Sequence, residues 1–376
     1  MSARIIPESS PNAGQRRNCD STRRAVGFRL TIFCAKQWTG SKKLNPLARP
    51  GTTMRFCGGT PAPASSSGIN SQLAKKKNES NFLSSKIVGQ PLRLPRTPAL
   101  ELTSEVDDDF ARFEQEGWQR VADKYDSVWS PLTRQFIPSL LADASVSIGM
   151  LALDVACGPG YASAAAKQLG AVPTGIDFSE KMVAIAERMF PEIRFRQDDA
   201  HDLQFEDGSF DRVLMNFGLL HVSHPEKACT EACRVLKQGG KFGFTVWAGP
   251  EQNPGGKIVD DAIEAYANLD VGVPEGPPKY LYGEREECRQ VLKRAGFDGT
   301  SMSYETRTVE WRLPDAGSYF EAERNAGVRT AGILARQSPE ALEAIRIALE
   351  NGIKQYARGN EFVLPMAANV IVVSKN

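Results

Sequence analysis

Four short stretches of this 376-residue chain carry residue types at spacings suited to chemistry. The first runs Asp154-Val-Ala-Cys-Gly158-Pro-Gly160, between the apolar run Leu151 to Val155 and the small-residue stretch Tyr161-Ala-Ser-Ala-Ala-Ala-Lys. It reads as a strand, a glycine-tight turn and a helix. Two ligands suit such a turn: the pyrophosphate of a dinucleotide, or the methionine part of S-adenosylmethionine (SAM). A dinucleotide turn needs three glycines so that bare N–H groups reach the phosphates. Here Ser163 takes the third glycine position, Pro159 has no N–H, and the Asp154 carboxylate would repel a phosphate. SAM carries an ammonium and a sulfonium cation instead, and an acidic strand end suits it. The turn favours SAM.

The second stretch is Asp177, nineteen residues past Gly158, where a carboxylate can accept both hydroxyls of a ribose. The third is Asp199-Ala200, placed to meet an adenine amino group. The fourth is Asn216-Phe-Gly-Leu-Leu-His-Val222, at the edge of a fourth strand. Methyl transfer from a sulfonium asks for alignment and exclusion of water. It asks for a base only where the acceptor must lose a proton. His221 is the candidate base, because imidazole changes charge near neutral pH. The competing reading is a loop histidine tied to backbone. His201 and His224 read as surface or cap residues. Trp118, Tyr125, Phe217 and Trp247, with His221, are candidate walls of an acceptor pocket, or else ordinary core.

These residues need a scaffold that brings successive strand ends together. Strands are expected at Leu151 to Val155, Ala171 to Ile176, Ile193 to Arg196, Asp211 to Met215 and Lys241 to Trp247, with late strands at Ser301–Trp311 and Ala367–Ser374. Helices alternate with them. One follows the glycine turn, one is capped by Ser179, and one begins at a capping box, Ser223-His-Pro-Glu226, and runs to about Leu236. Gly239-Gly240 is expected to end that helix. Ahead of the first strand, Phe110, Phe113, Trp118, Val121, Ala122 and Tyr125 recur at helical intervals. A second helix, Leu132 to Leu141, is interrupted by Pro138. Further helices are expected at Lys257–Ala267, around Cys288 to Ala295, and after Ser338. Strand and helix alternating through short loops predicts a doubly wound α/β sheet whose ligands bind beyond the strands' carboxyl ends. The extra helices, in segments about 249–285 and 312–358, are candidates for a lid over that edge.

The net charge of +1 hides a division of the chain. Residues 1–100 hold 17 Lys/Arg against 3 Asp/Glu, a balance of +14; residues 101–376 hold 29 against 42, a balance of −13. The basic, Ser-rich, acid-poor segment 1–105 reads as an organellar transit peptide (mitochondrion or chloroplast), as a disordered tail, or as an over-extended start with Met54 an alternative. Without a transit peptide the expected location is cytoplasmic. The folded body is expected over 106–376. Its acidity argues against nucleic acid as substrate, and no apolar run approaches the roughly 18–20 residues of a membrane helix. The seven cysteines form no C-x-x-C pair or metal-ligand spacing, so no metal site is expected and the compartment reads as reducing. Oligomeric state is not written in the sequence.

From about residue 108 onward the chain resembles the class I SAM-dependent methyltransferases of the type 11 group, near the ubiquinone/menaquinone C-methylases. The resemblance is carried by LDVACGPGY, TGIDFSEKM, QDDAHDLQFEDGSFDRVLMNFGLLHV and EACRVLKQGGKFGFTVW. It implies a Rossmann-like, seven-stranded, mostly parallel sheet with one antiparallel strand. It also implies SAM on Gly158 and Gly160, Asp177 on the ribose, and Asp199 with Ala200 on the adenine. Asp154, Ala156, Phe178, Met182 and Asn216, at the same strand ends, complete the implied cofactor set. Where quinone C-methylases carry Arg-Asn after F-G-L, this chain has Leu220-His221. The expected activity is therefore methyl transfer to an O, N or C atom of an apolar or aromatic small molecule. A quinone-ring C-methylase of an organelle, or a non-catalytic SAM-binding protein, is the alternative.

Overall fold

Every strand that ends near the residues named above belongs to one sheet, and the computed structural model describes it within residues 105–376. The strands are β1 (Leu151–Val155), β2 (Val172–Asp177), β3 (Arg194–Gln197), β4 (Phe210–Asn216), β5 (Leu236–Trp247), β6 (Phe297–Leu313), β7 (Ala357–Arg358) and β8 (Glu361–Lys375). They are ordered β3-β2-β1-β4-β5-β8-β6, with the two-residue β7 pairing off this path onto β8. The first five are parallel, and β8 runs antiparallel to both β5 and β6. The winding direction reverses between β1 and β4, so a crevice opens beyond their carboxyl ends.

Side chains that alternate along each strand bury both sheet faces. Val213 and Met215 pack on one side with Phe242, Phe244 and Ile371; Leu214 packs on the other with Val370 and Val372. The first side is covered by α6 (Pro225–Val235) and α8 (Arg285–Arg294) through Cys229, Ala232, Val291 and Leu292. The second is covered by α3 (Ile137–Asp143) and α4 (Tyr161–Gln168) through Leu140, Leu141, Ala162 and Ala166. Near the crevice, α1 (Glu105–Val128) packs through Ala122 on Met182 and Ile185 of α5 (Glu180–Met189). Ser179 caps α5, its hydroxyl accepting the Met182 N–H at 3.3 Å.

β5 stops where Trp247 pairs with Ala368, but β6 and β8 run on as a two-stranded ribbon to the Leu313–Phe362 pair. The ribbon and four helices build a separate core: α7 (Pro254–Tyr266), α9 (Ser318–Ala326), α10 (Arg329–Leu334) and α11 (Pro339–Ile353). Leu313, Tyr319, Phe320, Ile345, Leu349, Ile353 and Leu364 meet in it. Asn253 joins the two parts: its side-chain oxygen accepts N–H groups from Gly256, capping α7, and from Ala367 of β8.

Several boundaries differ from the sequence reading. The helix expected over Leu132 to Leu141 is two, α2 (Ser130–Thr133) and α3, joined by the 3-10 turn Arg134–Phe136. Pro138 lies in the first turn of α3, where its missing N–H has no intrahelical partner to lose. The expected Ser223 capping box does not form. Pro225 opens α6, which makes His224 the cap residue. That helix passes directly into β5 at Leu236, so Gly239 (φ +71°) and Gly240 lie within the strand at a register shift rather than ending a helix. Both late strands extend beyond the expected ranges: at one end their added residues pair in the ribbon, and at the other Phe297 pairs with Lys375. The arm expected over 1–105 lies outside the described residues, save for the helical Glu105. Among the described residues no helix is long and apolar enough to cross a membrane.

The burial of α11 sets a test of this second core. Leu349 is 0% and Ile347 44% exposed on the same helix. Leu349→Ala should cost about 2–5 kcal/mol and Ile347→Ala less than about 0.5 kcal/mol, as read from urea unfolding midpoints.

Candidate active site

Beyond Val155 the chain turns through Ala156 (φ +53°), Gly158 (φ +52°) and Gly160 (φ +88°) before α4 begins. A Cβ on Gly160 would lie 2.8 Å from the Phe195 ring, so only glycine fits there. Gly160 thus faces Phe195 behind the turn, while Gly158 and Pro159 line the cleft in front of it. Asp154, 1% exposed, accepts the Ser163 N–H at 2.8 Å and its hydroxyl at 2.7 Å, both on Oδ2. The serine at the vacant glycine position therefore clamps the acidic strand end. Oδ1 of Asp154 is buried with no hydrogen-bond partner among the described residues. At the end of β2, Asp177 accepts the Gly158 N–H on Oδ2 and the Ser179 N–H on Oδ1, each at 2.9 Å.

Burial disfavours both charges. It pushes Asp154 up to about 7, against the hydrogen bonds from Ser163. It pushes Asp177 up to about 6, against the N–H groups of Ser179 and Gly158. Ala156, Gly158, Phe178, Met182 and Asn216 share the cleft with these two carboxylates. The Asn216 amide is fixed: its oxygen accepts from the Thr245 hydroxyl at 2.8 Å and its nitrogen donates to the Thr133 carbonyl at 3.3 Å. Asp199 and Ala200 line an adjoining cleft that shares Ala156, Asp177, Phe178 and His221. The Asp199 carboxyl lies below its usual range through its hydrogen bond with the His201 ring, at 2.8 Å. His201 in turn accepts the His224 N–H at 3.1 Å, a capping role.

Trp118, Tyr125, Phe217, His221 and Trp247 come together on the wall of a cavity of about 290 Å³ on the lid side. Phe217 (φ +60°) is held by its N–H bond to Thr245 Oγ1 at 2.9 Å, with its ring 4.3 Å from that of Trp247. Burial pushes Tyr125 up to about 12, which keeps its hydroxyl neutral. Two residues that sequence reasoning missed organise His221. Glu114, with no exposure, meets His221 Nδ1 at 2.9 Å and the Trp118 indole N–H at 3.0 Å on one oxygen. Arg329 of α10 reaches its other oxygen at 3.2 Å and donates to the carbonyls of Leu220, at 2.5 Å, and Pro277. His221 Nε2 has no hydrogen-bond partner among the described residues, and the ring lines both clefts and the cavity. Glu114 had a sequence signal, a carboxylate in the apolar stripe four residues from both Phe110 and Trp118. Arg329 had none.

Residues 153–244 match the family described as a methyltransferase domain. The chain is 40% identical over 207 residues to the demethylmenaquinone methyltransferase of Clavibacter sepedonicus, covering 50% of this chain and 77% of that one. It is 35% identical over 171 residues to the same-named protein of Renibacterium salmoninarum, covering 43% and 70%. The chain belongs to the class I SAM-dependent methyltransferases. Among solved structures, a Haemonchus contortus N-methyltransferase is 20% identical with a TM-score of 0.43, over 71% of this chain and 60% of that one. The strand order given above defines the fold of this methyltransferase independently of that likeness.

Burial in the folded methyltransferase favours the protonated form of Asp154. Its carboxyl titrates near 7 when folded, against about 3.9 when unfolded, so the stability held by the protonated form is complete below about pH 4 and is lost as pH rises through about 7. Asp154→Asn cannot lose it. The gap in unfolding midpoint between the variant and the parent, measured without ligand, should widen in the variant's favour from pH 5 to pH 8.

Proposed function

We propose that this methyltransferase binds SAM along the crevice beyond β1, β2 and β4 and moves its methyl group to a proton-bearing atom of a small molecule in the aromatic cavity. The observation that carries the reading is His221, fixed at Nδ1 by a buried carboxylate, standing between the acidic clefts and the cavity.

The residues suit that cofactor. Asp154 offers a buried, partnerless oxygen to a cationic ligand. Asp177 keeps free lone pairs on both oxygens for ribose hydroxyls, each oxygen having accepted one N–H. Asp199 and Ala200 lie along the adjoining cleft, on the side assigned to adenine. Bound there, SAM supplies a methyl group whose bonding pair returns to sulfur as the acceptor's electron pair forms the new bond. The chain's own work is alignment and proton transfer. Facing the Glu114 carboxylate, a neutral His221 carries its proton on Nδ1, which leaves Nε2 to take the proton that the acceptor loses. Trp118, Phe217 and Trp247 hold an apolar or aromatic acceptor and keep water out.

A quinone ring is a second acceptor reading, favoured by the names of the two relatives above. Incubation with labelled SAM and a panel of phenols, arylamines and reduced quinones separates the two by product.

Two substitutions test the assignment. Asp177→Ala removes the ribose acceptor and should weaken SAM binding roughly 10- to 100-fold by calorimetry, from about 1.5–3 kcal/mol for a charged hydrogen bond. Unchanged affinity would falsify the ribose role. His221→Asn should lower kcat by about 100-fold or more with SAM affinity held; a kcat equal to the parent's removes His221 from the chemistry.

A further inference from the structure

The charges on the cavity wall do not balance. Lys279 is ion-paired with Asp260, whose second oxygen accepts the Tyr280 hydroxyl. Arg329 is committed to Glu114. That leaves Glu323, on α9, which lines the same cavity at 7% exposure with the Thr330 hydroxyl as its partner. No cation stands within 4.0 Å of it among the described residues. With both carboxyls ionised and Arg329 matched by Glu114, two wall carboxylates share the single ammonium of Lys279, a formal excess of one negative charge.

A buried carboxylate without its own counter-ion is costly, and a ligand that brings a cation relieves that cost. The remaining wall favours a cation as well. Tyr319, one helical turn before Glu323, faces the same cavity, which also holds the rings of Trp118, Trp129 and Trp247. A neutral or anionic acceptor would leave the excess charge unanswered.

We propose that the cavity selects an acceptor bearing a protonated amine, its ammonium bound by Glu323 and its methyl-accepting atom directed to His221. An arylalkylamine with a hydroxyl at its other end has this chemistry. The assignment rests on reading the cavity as the acceptor site. Burial raises the Glu323 carboxyl above its usual range, with nearby Lys279 acting against the rise, and an ammonium would draw it back toward the ionised form.

The test uses the full chain saturated with S-adenosylhomocysteine and two near-isosteric probes, 4-(2-aminoethyl)phenol and 4-(2-hydroxyethyl)phenol, titrated by calorimetry at neutral pH. The amine should bind at least about 10-fold more tightly than the alcohol, in line with a cation held by a desolvated carboxylate and aromatic rings. Glu323→Gln should abolish that preference while SAM affinity stays at the parent's value and the thermal midpoint does not fall. Equal or tighter binding of the alcohol, failure of the amine to bind at millimolar concentration, or a preference that survives in Glu323→Gln overturns the proposal. The parent comparison alone decides the matter if the variant does not fold. Absence of SAM binding in the parent protein would instead overturn the cofactor reading beneath it.

Discussion

A carboxylate sealed from water must be surrounded by donors, and Glu114 is surrounded from three directions. Trp118 reaches it from its own helix, His221 from the turn after β4, and Arg329 from the lid. Removing one partner of such a cluster leaves a buried charge uncompensated, which costs far more than a surface pair is worth. The three segments therefore have a shared reason to stay in register. The imidazole inherits its orientation from that constraint, and the cavity inherits its roof.

The opposite regime holds at the ends of β1 and β2. Asp154 and Asp177 are buried with no ion-pair partner among the described residues, and both carboxyls hold their protons more strongly than free ones do. The backbone N–H groups of Ser163, Gly158 and Ser179 point at them, offsetting part of the desolvation. A cation bound beside these carboxyls would favour their ionised forms and relieve the remaining cost. Strain is concentrated there too: Ala156 and Phe217, at the ends of neighbouring strands, both take left-handed backbone conformations.

The strand ends were legible because their chemistry is local. A glycine turn after an apolar run, an acid at the next strand end and a serine cap are each decided within a few residues. The aromatic cavity was half legible. Trp118, Phe217 and Trp247 could be named, but an aromatic side chain in a core and one on a pocket wall look alike in sequence. What stayed hidden depends on contacts between distant segments. Arg329 meets Glu114 across 215 residues, and no spacing announces it. The Ser223 capping box failed for a local reason that could have been weighed: a proline at the first helical position fixes the cap one residue before it.

The sheet's last two strands outrun their neighbour, and the helices over the cavity hang from that overhang rather than from the crevice itself. The cavity therefore draws Tyr319, Glu323 and Arg329 from the segment between β6 and β8, while Phe217 and His221 line both it and the crevice. Drift in that segment would alter one wall of the cavity, and only at Arg329 would it also loosen the carboxylate that orients His221.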